Sequence, residues 1–273
     1  MYSTNSGFIS ILKSFAEWWR IYLEIVESLA IDRRLDEIAA QIAREIANIT
    51  MPPLEACKSM IMGRSVVIFG AGPSLESHLK LIEKSEVLHD SVLVAADGAT
   101  KALVEVGITP HIIVSDLDGD LDAILYSALR GSKLFIHIHG DNIDIFTSFT
   151  DELKKLTSHF TITTQVEPYY PVLNFGGFTD GDRAYAITLV FKPSQVLLAG
   201  MDFGDIIGRY SKPWLKSHEK ASVRKRVKLS IAFKIISLLA CSSNTATYTF
   251  SKITPMCVKK IDNLEYLERN FRV

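Results

Sequence analysis

Apolar positions change their spacing partway along the chain. From Phe8 to about residue 49 they recur at three- and four-residue intervals: Phe8, Ile11, Leu12, Phe15, Trp18, Trp19, Tyr22 and Ile25. The pattern resumes as Leu35, Ile38, Ala39, Ile42 and Ile46 after the charged Asp32-Arg33-Arg34. Such spacing lines one side of a helix. Met51-Pro52-Pro53 ends it, because a proline disfavours helix in the residue before it. From Arg64 onward the chain turns into short β-rich runs separated by helix-length segments. Residues 65–69, 92–96, 112–114, 134–138, 160–164 and 195–199 read as strands, with helices over 75–84, 100–106 and 184–190 among them. This alternation predicts an α/β fold, a largely parallel sheet with helices on both faces. After Asp202 the chain is polar and basic through Trp214, then helical from about 216 to 240. A short strand over 245–250 and a terminal helix over 261–271 follow. The expected organisation is an N-terminal helical region (1–62), an α/β catalytic domain (63–215) and a C-terminal helical extension (216–273) packed on that domain.

Nearly every predicted strand ends in Gly, Asp, Asn, Ser or His. Ligands of open α/β sheets bind outside the carboxyl ends of the strands, so six polar strand ends point to one crevice. The most pronounced is Asp116-Leu117-Asp118-Gly119-Asp120-Leu121-Asp122. While the chain stays extended, alternate side chains share a face. Asp116 and Asp118 would then repel each other unless a cation lay between them, and hard oxygen ligands suit Mg²⁺. For Asp120 and Asp122, capping of the following helix stands beside the metal reading.

Three other strand ends carry chemistry. Gly70-Ala71-Gly72-Pro73-Ser74 allows close backbone approach and leaves amides at a helix start, which suits a phosphate, with Ser74 as cap or donor. Asp97-Gly98-Ala99 either caps a helix or turns its carboxylate to the crevice. His139-Gly140-Asp141-Asn142 adds acceptors, while His137, flanked by isoleucines, reads as core. Farther on, in Gly176-Gly177-Phe178-Thr179-Asp180-Gly181-Asp182-Arg183, the spacing of Thr179 and Asp182 fits a capping box. The glycines and Arg183 fit a loop gripping nucleotide phosphates. Arg209, Lys212, Lys216, Lys225, Arg226 and Lys228 form a local cationic region, of which Lys212 is preferred as a phosphate partner.

Composition narrows the partners. Thirty Lys and Arg balance 31 acids, a net charge of −1, which gives no general attraction to nucleic acid or an anionic membrane. Phosphate binding must be local. The three cysteines lack zinc spacing and fit buried thiols in a reducing cytosol. No basic leader precedes an apolar core, and the most apolar stretch, residues 229–240, is short of the ~20 residues of a membrane span and contains Lys234. A soluble cytoplasmic protein is expected, with the aromatic N-terminal helices as a surface for self-association.

The series GAGPS, ADGA, SDLDGD, HGDN, GGFTDGDRA and GMDFG, in this order and spacing from about residue 66 to 214, resembles the archaeal 6-hydroxymethyl-7,8-dihydropterin diphosphokinase family, relatives of thiamin diphosphokinases. The resemblance implies Mg²⁺-dependent transfer of the β,γ-diphosphate of ATP to a pterin alcohol, with AMP released. It implies Asp116 and Asp118 as magnesium ligands, with Asp97 and Asp141 nearby and one aspartate accepting the alcohol proton. Gly72, Ser74, Gly177, Thr179, Asp182 and Arg183 become nucleotide or phosphate contacts, and Asp202 a partner for the pterin. Three alternatives stay open. Thiamin is one other acceptor. Asp116-Leu117-Asp118 is also the DxD pattern of sugar transferases, and domains related to this one occur in flagellin-modification proteins. The last is nucleotide binding without catalysis.

Overall fold

The computed structural model describes residues 7–47, 52–157, 160–262 and 264–270. Its strands, in chain order, are β1 (Ser65–Phe69), β2 (Val92–Ala96), β3 (Ile112–Ser115), β4 (Lys133–His137), β5 (Phe160–Thr163) and β6 (Gln195–Ala199). β7 (Ile206–Ile207) and β8 (Glu219–Lys220) make a separate antiparallel ribbon, and β9 (Ala246–Thr249) and β10 (Lys259–Lys260) rejoin the main sheet. Helices α1 (Phe15–Leu29), α2 (Arg33–Ala47) and α3 (Leu54–Ile61) precede the sheet. Between its strands run α4 (Leu75–Ile82), α5 (Val87–Asp90), α6 (Ala99–Glu105), α7 (Leu121–Leu129), α8 (Ile143–Leu156) and α9 (Asp180–Val190). The long α10 (Val223–Ser242) and the terminal α11 (Leu264–Asn270) complete the chain.

The sheet order is β10-β9-β6-β1-β2-β3-β4-β5, and its pairings are parallel. The chain winds outward from β1 to β5, then returns to the other side of β1 as β6. The carboxyl ends of β1 and β6 therefore form the switch point where doubly wound sheets place ligands. Along each strand the side chains alternate between two cores. Val66, Ile68, Val94 and Val114 pack with α1, α9 and α10; Val67, Phe69, Leu93 and Ile113 pack with α2, α4, α6, α7 and α8. Strands covered on both faces read as unbroken apolar runs, which is why they stood out in the sequence. Helix α9 lies against β1, β2 and β3 with α10 outside it. It is buried on nearly every side, and its first residue, Asp180, faces the crevice.

Several boundaries differ from the expectation. The first helix starts at Phe15, capped by Ser14, because Phe8 pairs in a parallel bridge with Asn174. Ala30, at φ 50°, closes α1 in a left-handed cap and turns the chain into α2. The stop expected at residue 51 lies outside the described residues. The C-terminal helix begins at Val223, where the Ser222 hydroxyl accepts the Lys225 N–H, rather than near 216. The cysteine expectation is corrected: Cys57 is a buried thiol, but Cys241 and Cys257 form a disulfide. The chain leaves α10, runs through β9 and doubles back, bringing the two Cα atoms within 5.2 Å, inside the span a disulfide bridges. Among the described residues no helix is long and apolar enough to cross a membrane.

Candidate active site

Three aspartates meet over the carboxyl ends of the central strands. Asp97 follows β2, Asp116 follows β3 and Asp180 opens α9, and one oxygen of each lies within 4.8 Å of the others. Each is held by the turn it sits in. Asp97 adopts φ 44° and is 7% exposed; its Oδ1 accepts the Ser115 hydroxyl at 2.5 Å and the Gly119 N–H at 3.1 Å. Asp116 Oδ2 lies 3.6 Å from His139 Nε2, and its backbone carbonyl accepts the Asn142 amide at 2.7 Å. The Asp180 carboxylate accepts Arg183 Nη1 at 2.9 Å.

Crowding divides these carboxyls electrostatically. Burial, with the charge of Asp116 added, pushes Asp97 up to about 7 and Asp180 well above the carboxylate range. Burial also acts to raise Asp116, but the His139 contact and the charges of His139, Arg183 and Lys212 outweigh it and hold that carboxyl below its ordinary value. Like charges this close cannot all ionise comfortably without a cation. The donor set is hard oxygen, which fits Mg²⁺.

The pair expected to share a metal is not the pair the turn delivers. β3 stops at Ser115, and Leu117 takes φ 68° to bury its side chain. That turn ends the extended alternation, so the Asp118 carboxylate faces Lys212 and lies largely in solvent. Asp180 supplies the third carboxylate instead. Its signal in the sequence was its place as the first residue after the Thr179 cap, at a helix start aimed into the crevice. Asp120 caps α7 through the Ala123 N–H and pairs with Lys101 at 2.8 Å. Asp141 stands apart from the cluster, on the β4–α8 loop.

The glycine-rich segments divide into lining and scaffold. A cavity of about 490 Å³ runs from the Gly70–Gly72 turn across the aspartates to α10. At Gly72 a Cβ would lie 2.5 Å from both the Asp202 carboxylate and the Gly200 carbonyl, so only glycine admits this turn. Ser74 leaves α4 without a side-chain cap; its hydroxyl and N–H donate to Asp202 Oδ2 at 2.6 and 2.8 Å. Gly177, at φ 90°, backs onto Arg183, whose Cα would lie 2.6 Å from an added Cβ. Thr179 lines the cavity and closes the capping box with Asp182. Asp182 and Arg183, expected at phosphates, lie behind the loop. The Asp182 carboxylate accepts the Phe178 and Thr179 N–H groups and the Thr179 hydroxyl, and Arg183, 3% exposed, donates to the Phe178 carbonyl and Asp180. Lys212, Lys225 and Lys228 line the same cavity as the aspartates. Burial, then repulsion from Lys212 and Lys228, lowers the Lys225 pKa. His137 is fully buried against Thr163.

Fold and site together define a doubly wound α/β protein with an acidic centre at the carboxyl ends of its central strands, in a cavity also lined by lysines. Residues 40–208 match the family described as 6-hydroxymethylpterin diphosphokinase MptE-like, and the chain belongs to that family. It is 41% identical over 203 residues to a Methanocaldococcus jannaschii protein, covering 73% of this chain and 84% of the relative. It is 38% identical over 240 residues to one from Pyrococcus furiosus, covering 86% and 98%. Both relatives are named 6-hydroxymethyl-7,8-dihydropterin pyrophosphokinase. Among solved structures the chain is similar to the MAf glycosyltransferase of Magnetospirillum magneticum, with a TM-score of 0.50 and 13% identity. That match covers 84% of this chain and 39% of the longer one; it shows the fold alone.

Proposed function

We propose that this protein transfers the β,γ-diphosphate of ATP to the hydroxymethyl oxygen of 6-hydroxymethyl-7,8-dihydropterin and releases AMP. The observation that carries the reading is that three converging aspartates and three lysines line one cavity, in a chain of the MptE-like family. In the reaction the alcohol oxygen bonds to the β-phosphorus, the bond to the α-phosphate bridging oxygen breaks, and AMP leaves with that oxygen. The hydroxyl proton passes to a base. Such transfer needs in-line positioning and charge neutralisation more than covalent help.

Asp97, Asp116 and Asp180 are the residues that would hold Mg²⁺. The ion, when bound, neutralises phosphate charge and orients the phosphate oxygens. Lys212, Lys225 and Lys228, in the same cavity, balance the charge of the anionic chain, and the Gly70–Gly72 turn lets backbone amides approach a phosphate closely. The chemistry is centred on residues 63–215, with lysines of α10 completing the wall. The setting is cytoplasmic, with small-molecule partners and no nucleic acid. A sugar-transfer reading would need Asp116 and Asp118 to act as a pair, and the turn at Leu117 gives them different partners.

The test is a discontinuous assay with ATP, Mg²⁺ and 6-hydroxymethyl-7,8-dihydropterin that resolves AMP from ADP. AMP in step with a diphosphorylated pterin is expected. ADP would mean transfer of one phosphoryl group, and no product with this alcohol or with thiamin would end the reading.

A further inference from the structure

A second cavity, of about 220 Å³, adjoins the main one and shares Asp116, Phe178, Arg224 and Lys228 with it. Its walls are the α1–α2 corner with Ile31, Asp32 and Leu35, and the β4–α8 loop with His139 and Asp141. The site is built from beneath. Asp36, 2% exposed, accepts the Tyr22 hydroxyl at 2.7 Å, the Gln165 amide at 2.6 Å and the Gly140 N–H at 2.7 Å. These bonds clamp the β4–α8 loop onto α2 so tightly that a Cβ at Gly140 would lie 2.5 Å from that of Leu35. Arg224 of α10, which lines both cavities, donates to the Leu29 carbonyl at 2.6 Å. The α1–α2 corner lies outside the 40–208 stretch that matches the family.

The two cavities differ in the charge they offer. The larger holds the glycine turn, Lys212 and Lys225, and its volume is in the range of small-molecule ligand sites. The smaller lacks those groups and presents Asp32 and Asp141 beside apolar Ile31, Leu35 and Phe178, with His139 and the shared Arg224 and Lys228 also in its lining. The Asp32 carboxylate already accepts the Arg34 N–H at 2.9 Å. No hydrogen bond or ion pair of the Asp141 carboxylate is found among the described residues; its backbone N–H donates to His139. A free carboxylate beside apolar walls suits a flat, uncharged ring system bearing N–H donors. In-line displacement also demands that acceptor and leaving group sit on opposite sides of the phosphorus, and Asp116 lies where the cavities meet.

We infer that the second cavity is the acceptor subsite. The heterocycle lies between Leu35 and Phe178, and the edge that carries its amino group and ring N–H faces Asp141. The N-terminal helices thus determine which alcohol is used. This rests on the diphosphokinase reading, and it places Asp202, whose Oδ2 is held by Ser74, on the nucleotide side rather than at the pterin.

Paired binding measurements test it, with Mg²⁺ present. One probe is the fluorescent oxidised 6-hydroxymethylpterin; the other is ATP with a methylene in place of the α,β-bridging oxygen. Leu35→Trp, which fills the second cavity, and Asp141→Asn, at an exposed position, should each raise the pterin Kd about tenfold or more. Binding of the ATP analogue should stay within about twofold, which also shows that the variants are folded. Leu229→Trp, in the larger cavity, should do the reverse. The inference is overturned if the wild type binds the pterin and neither Leu35→Trp nor Asp141→Asn weakens it, or if Leu229→Trp is the variant that loses it. A wild type that forms no AMP and binds no pterin would instead defeat the diphosphokinase reading, and the subsite with it.

Discussion

Asp36 and Asp116 are both withdrawn from solvent, and their surroundings are opposite. Asp36 accepts from three donors: a tyrosine hydroxyl, a side-chain amide and a backbone N–H. Around Asp116 the near neighbours include two more carboxylates, Asp97 and Asp180. A buried charge ringed by donors is satisfied within the fold and holds elements together. Acceptors crowded together leave the fold with a surplus of negative charge that something from outside must answer. The same residue type is mortar in one place and a socket in the other.

The largest expected effect breaks the socket. Asp116→Ala or Asp180→Ala should lower AMP formation by about 10³-fold with a much smaller change in melting temperature, since each relieves crowding among the carboxyls but also removes a partner, of His139 in one case and of Arg183 in the other. Thermal melts beside the turnover assay check this, and an active Asp180→Ala protein would remove that residue from the metal set. Asp36→Ala should show the converse. Three donors lose their acceptor, which costs about 3 kcal/mol and lowers the melting temperature by about 10 °C in a chain of this size.

The third expectation concerns pH. Folding raises the Asp97 carboxyl from 3.8 to about 7, so its contribution to stability is full below the ordinary carboxylate range and is lost as pH rises through about 7. Asp180 shifts in the same direction. Asp116 shifts the other way, so its contribution is lost only in acid. The metal-free protein should therefore melt at a lower temperature at about pH 8 than at about pH 5. Asp97→Asn should flatten that slope, and Mg²⁺ should stabilise the wild type more at the higher pH; a slope unchanged by Asp97→Asn would show that the cluster does not cause it. The smallest effects lie at the rim. Lys212→Met should cost about tenfold in turnover, and Asp118→Asn less than about tenfold, since exposed pairs contribute little. Equal losses from Asp118→Asn and Asp116→Ala would restore the paired-aspartate reading.

What the sequence determined by itself was local. Strands covered on both faces read as apolar runs, so β1, β2, β3, β4 and β6 were visible as segments with polar residues at their ends, and β5 through its β-branched residues. The Thr179–Asp182 spacing disclosed a helix start, because capping acts over a single turn. The packed structure decided the rest. Leu117 reaches the core only by adopting a left-handed φ, and that one dihedral moves Asp118 out of the cluster. Asp180 joins Asp97 and Asp116 because α9 packs across β1, β2 and β3, a relation no local spacing encodes. The helical pattern before residue 49 showed which side of α2 is apolar, yet not that polar Asp36 lies within that packing as the anchor of the β4–α8 loop. Cys241 and Cys257 meet only after the chain has passed through β9. Periodicity records which side of an element is buried; the partner it is buried against is fixed by long-range packing, where distant segments compete for the same surface.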